Sequence, residues 1–105
     1  MAAALNNFER QIGTKIAIMG DMFELGNEAK LEHQYIVDLA NSLQIDNLIF
    51  IGENFYQTKI DSDKSSKYKS FSDFKEAFKP SSIQDATLLI KGSRGMAMER
   101  ILEIL

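Results

Sequence analysis

Three short runs constrain this chain more than any other feature: "KIAIMGD", "DNLIFIG" and "ATLLIKG". Each is apolar on both faces of an extended backbone, as parallel strands are when helices cover a sheet from both sides. Each also reaches a glycine as the apolar run stops. Between and around them lie helical stripes. Leu31, Tyr35, Ile36, Leu39, Ala40 and Leu43 form one, Met1, Ala4, Leu5 and Phe8 a second, and Met98, Ile101, Leu102 and Leu105 a third.

Strands that alternate with helices build βαβ units and a parallel sheet. Right-handed crossovers leave few topologies, and the simplest is a three-layer, Rossmann-like α/β domain with strand order 3-2-1-4. The middle of the chain is less patterned. "ENFYQTKIDSDKSSKYKS" predicts a short helical turn, a polar loop and a short strand ending at Phe71. Ser72 or Asp73 then caps a helix bearing Phe74, Ala77 and Phe78, which Pro80 closes. No linker interrupts the sequence, so residues 1–105 read as one domain.

Composition narrows the function classes. The chain is 45% hydrophobic and 26% charged, enough for one soluble domain with its own core. Twelve Lys and Arg against fifteen Asp and Glu leave −3, without the basic face of a nucleic-acid binder. There is no cysteine, hence no disulfide or thiolate metal site. No apolar run is long enough to span a bilayer and no signal peptide opens the chain, so no membrane partner and a cytoplasmic location are expected.

The fold places the exits of the first and last strands side by side, at the crevice where winding reverses and ligands bind in such sheets. Two unusual segments leave there, "GDMFELG" and "KGSRGM". In the second, Gly92 and Gly95 permit close backbone approach. Ser93 suits the N-cap of the last helix, whose free amides, with Lys91 and Arg94, favour a carboxylate or phosphate oxygen. The plainer reading has Ser93 only capping and Arg94 in solvent.

Gly20 and Asp21 open the other segment. Asp21 either accepts hydrogen bonds from a ligand amine or hydroxyl, orients Lys91 or Arg94, or merely ends the strand by capping the next turn. Glu24 is expected in solvent, and Met22, Phe23 and Leu25 in local packing. His33 has no partner pattern of a metal site and reads as a surface or hydrogen-bonded structural residue. Asp61 and Asp63 read as a solvated loop. No catalytic triad and no metal site emerge.

Taken together, "MGDMFELG", "EHQ", "IFIGENF" and "LLIKGSRGMAMERIL" resemble the C-terminal domain of Mur ligases over essentially the whole chain. Within that family the motifs are most similar to the branch that joins D-alanyl-D-alanine to UDP-N-acetylmuramoyl-tripeptide in peptidoglycan synthesis. The resemblance implies a cytoplasmic ligase dependent on ATP and Mg²⁺, with N-terminal and central domains partnering this one. It implies that ATP is held mainly by the central domain, and that Gly20, Asp21, Lys91, Gly92, Ser93 and Arg94 line a substrate crevice with no catalytic residue here.

The family's D-x-Y-N-A-N-P-x-S segment and its P-loop are not among these residues, and the first helix has nothing ahead of it to cap it. An excised domain, inactive alone, is therefore the expectation. The alternative is a non-catalytic α/β small-molecule-binding or receiver-like module. A receiver would need paired acids after the first strand, where only Asp21 stands.

Overall fold

The computed structural model describes every residue except Glu24, Leu25 and Leu105, and the side chain of Ser82. Four strands, β1 (Lys15–Gly20), β2 (Asn47–Ile51), β3 (Ser65–Tyr68) and β4 (Thr87–Lys91), form one sheet in the order β3-β2-β1-β4. All three pairings are parallel, with Ile18 facing Ile49 on one side and Ile90 on the other. The expected topology is the observed one.

Helices α1 (Ala2–Phe8), α2 (Ala29–Ser42), α3 (Glu53–Tyr56) and α4 (Phe71–Ala77) supply the outer layers, with short 3₁₀ turns between and after them. The alternation of side chains along each strand splits the core in two. Ala17, Met19, Leu48 and Phe50 point to one face and meet Leu5, Phe8, Ile36, Val37 and Ala40 from α1 and α2. Ile16, Ile18 and Ile51 point to the other and meet Phe74 of α4 with Ile83, Met98 and Ile101. Central β1 is buried along its whole length. Edge strand β4 keeps its three apolar residues only half-buried.

Four local expectations are corrected. Helix α2 buries His33, Ile36, Val37 and Ala40, leaving Leu31 74% and Tyr35 53% exposed. Residues 33, 36, 37 and 40 are also helical neighbours, and the polar name of His33 hid that stripe. Strand β3 ends at Tyr68, and Phe71 begins α4. The cap of α4 is Ser70, whose hydroxyl accepts the Asp73 N–H at 3.2 Å, so neither Ser72 nor Asp73 is the N-cap.

The closing helix is instead two 3₁₀ segments, Arg94–Met96 and Met98–Glu103, joined at Ala97 in the left-handed region (φ 48°, ψ 49°). Spacing of three between Met98 and Ile101 suits either helix type. Both are buried, Leu102 is exposed, and Leu105 lies outside the described residues.

The cap assignment is testable. Ser70→Ala should lower the unfolding free energy by about 1 kcal/mol, while Ser72→Ala should stay within about 0.5 kcal/mol of the parent. Urea denaturation of both variants checks this, and equal losses would contradict it.

Candidate functional site

In register, Gly20 stands opposite Ile51 and Met19 opposite Lys91. Asp21, Gly52 and Gly92 therefore leave the sheet at the same edge, beside the reversal of winding between β1 and β4. Segments far apart in the chain are stitched together there. The Ser93 N–H donates to the Asp21 carbonyl at 3.1 Å, and the Phe23 N–H donates to Ser93 Oγ at 2.5 Å across 70 positions of sequence.

Asp21 is 3% exposed. Its carboxylate accepts the Asn54 N–H at 2.9 Å, Asn54 Nδ2 at 3.2 Å and the Phe55 N–H at 3.0 Å. It thus caps a helix, though the helix is α3, on the neighbouring strand's exit. Ionised carboxylates make the stronger hydrogen bonds to backbone amides, which favours this arrangement. Gly52 makes room for it. That residue has φ +127°, and a Cβ there would fall 2.2 Å from Asp21 Cγ.

The side chain of Asp21 is directed to α3 and, among the described residues, pairs with neither Lys91 nor Arg94; its charged-type neighbour is His33 Nε2 at 3.8 Å. With both oxygens engaged by N–H donors it does not fit a Mg²⁺ ligand, and no group of three His, Asp or Glu converges among the described residues.

The glycines serve internal packing. A Cβ at Gly20 would lie 2.6 Å from Met98 Sδ, and one at Gly92 would lie 2.8 Å from Met98 Cγ and 3.2 Å from Gly20 Cα. Met98 is wedged where β1 and β4 part. At Gly95 a Cβ would lie 2.7 Å from the Phe23 ring. Ser93 precedes the 3₁₀ turn at Arg94–Met96 but its side chain does not cap it, because Oγ is engaged by Phe23. Lys91 and Arg94 are exposed. Glu24 and Leu25, which sequence reading put in solvent and in packing, lie outside the described residues.

The six expected residues thus gather at one edge; five of them line two hollows, and Gly20 packs against Met98 instead. One, of about 350 Å³, is lined by Lys91, Gly92, Ser93 and Arg94 together with Glu99 and Leu102. The other, of about 410 Å³, includes Asp21, Asn54, Lys69, Phe71, Gly95 and Arg100. Arg100 stacks on the Phe71 ring at 3.9 Å. Asn54 and His33 also belong to this edge, beyond the residues its motifs point to. His33 is fully buried, accepting the Met22 N–H at Nε2 (2.9 Å). Its signal was its helical spacing to Ile36, Val37 and Ala40.

No family model matches the chain. It is 36% identical over 107 residues to the UDP-N-acetylmuramoyl-tripeptide–D-alanyl-D-alanine ligase of Buchnera aphidicola, covering 98% of this chain and 23% of that protein. The Escherichia coli enzyme of the same name is 29% identical over 110 residues, covering 100% and 24%. The chain therefore spans about a quarter of the length of the curated relatives it matches. A crystal structure of MurF from Acinetobacter baumannii superposes with a TM-score of 0.79 at 26% identity, covering 98% of this chain and 24% of that one. The MurF ligase of Thermotoga maritima in complex with ADP gives 0.70 at 27%, covering 96% and 23%.

The contact between Asp21 and Gly52 predicts a coupling. Asp21→Ala, which strands three N–H donors, should destabilise the fold by roughly 2–4 kcal/mol. Gly52→Ala should cost more in the parent than in the Asp21→Ala background, where its methyl meets no carboxylate. A denaturation double-mutant cycle measures this, and strict additivity would contradict the packing described.

Proposed function

The chain belongs to the Mur ligase family, as a C-terminal domain of MurF type, and on that premise we propose that it binds D-alanyl-D-alanine and closes over the ligation site. The intact enzyme then adds that dipeptide to UDP-N-acetylmuramoyl-tripeptide in the cytoplasm. ATP supplies the activating phosphoryl group for the tripeptide carboxylate, and the ADP carried by the Thermotoga maritima relative supports nucleotide use in the full-length protein. ATP and Mg²⁺ are held mainly by the central domain, so this domain alone does not ligate.

One observation carries the reading. Lys91, Ser93 and Arg94 lie along one lip, and the Ser93 N–H to the Asp21 carbonyl ties that lip to the exit of β1. Among the described residues neither Lys91 nor Arg94 has an acidic partner. Exposed cations without internal partners favour an anionic oxygen, and the dipeptide carboxylate is the anion we assign to them. Gly20 and Gly92 shape the lip by admitting Met98. Asp21 supports it from below: its carboxylate orients α3 and its carbonyl holds Ser93.

In the intact ligase, Arg94→Ala should raise the dipeptide KM about tenfold, with a smaller fall in kcat, as expected for a lost charge-assisted contact to bound substrate. Lys91→Ala should act in the same direction. Steady-state kinetics with varied dipeptide checks this, and an unchanged KM in both variants would refute the assignment. ATP-dependent ligation by the 105-residue chain alone would refute the dependence on the other domains.

A further inference from the structure

His33 stands one layer below this lip and touches none of its cations. It is fully buried in α2, its ring edge-to-face with Phe55 at 4.6 Å. Nδ1 lies 2.6 Å from the Ala29 carbonyl oxygen. A carbonyl only accepts, so Nδ1 carries the proton. Nε2 receives the Met22 N–H at 2.9 Å, so Nε2 is bare. Two backbone partners of opposite kind thus fix the neutral Nδ1–H tautomer. The Asp21 carboxylate, 3.8 Å from Nε2, is already served by three donors from Asn54 and Phe55.

What this bond holds is the segment between the two halves of the crevice. Three successive amides, Asp21, Met22 and Phe23, donate to three separate parts of the fold: the Ile51 carbonyl at the end of β2, His33 in α2, and Ser93 Oγ after β4. A half-buried Met22 N–H deprived of its acceptor would have to seek another in the fold or in water, loosening the placement of its neighbours. Phe23, the next residue, is the one that binds Ser93 and lies against Gly95.

We propose that His33 is a positioning residue for the crevice: as a proton acceptor at Nε2 it sets Met22, and through Phe23 the placement of Ser93 and its lip. The role rests on the dipeptide-binding reading above, but the holding itself is measurable without substrate.

On the ¹⁵N-labelled chain, long-range ¹H–¹⁵N spectra should show Nδ1 protonated and Nε2 bare at neutral pH; an Nε2–H tautomer would overturn the proposal outright. His33→Leu keeps apolar bulk and removes the acceptor, whereas His33→Gln places an amide oxygen near the position of Nε2. Hydrogen exchange at Met22 and Phe23 should accelerate about tenfold or more in the Leu variant, the scale of one lost hydrogen bond, and return towards the parent in the Gln variant. In the intact ligase the dipeptide KM should rise and recover in the same order, with kcat moving less. Equal behaviour of the two variants, in exchange or in KM, would overturn the positioning role. Faster exchange without a KM change would do so too, and would reach the dipeptide assignment only if Lys91→Ala and Arg94→Ala were also silent.

Discussion

A single buried carboxylate organises the edge at which β1 and β2 leave the sheet. Asp21 ends β1 and gathers the amides of Asn54 and Phe55, so the start of α3 is positioned by a residue from the adjacent strand. A charge this deep is tolerable only when donors surround it, and here three N–H groups do. The requirement propagates. Gly52 must lack a side chain, α3 must begin where it does, and the Asp21 carbonyl is left facing Ser93. Remove the carboxylate and the exits of β1 and β2 lose their common reference.

The same edge explains why glycines and acids follow a strand that has just built core. The interior of β1 is governed by period-two burial against two helical layers. Its last residue, Gly20, is governed instead by Met98, whose sulfur occupies the space a side chain would need. At Gly20 and Gly92 the backbone is kept bare by the Met98 thioether, and at Gly95 by the Phe23 ring.

Legibility followed the strength of the physical signal. The three doubly apolar strands and their order could be read because burial on both faces leaves an unmistakable run. Strand β3 and the cap of α4 were harder: Ser65–Tyr68 is polar, and Ser70, Ser72 and Asp73 are all competent caps on chemistry alone. The proximity of Asp21 and Ser93 followed from topology. The direction of the Asp21 side chain did not, because its partners Asn54 and Phe55 belong to a four-residue helix with little periodic signature. His33 was hidden for a different reason, since a histidine in a buried stripe looks polar until its two hydrogen-bond partners are known.

Ala97 adds a mechanical property to the rim. It holds a left-handed backbone conformation that residues other than glycine, asparagine and aspartate seldom adopt, at a cost of about 1–2 kcal/mol. Its methyl group also narrows the range of torsions open to the joint, where a glycine would swing freely. The joint between the Arg94 turn and the Met98 anchor thus has fewer torsions open to it than a glycine hinge would.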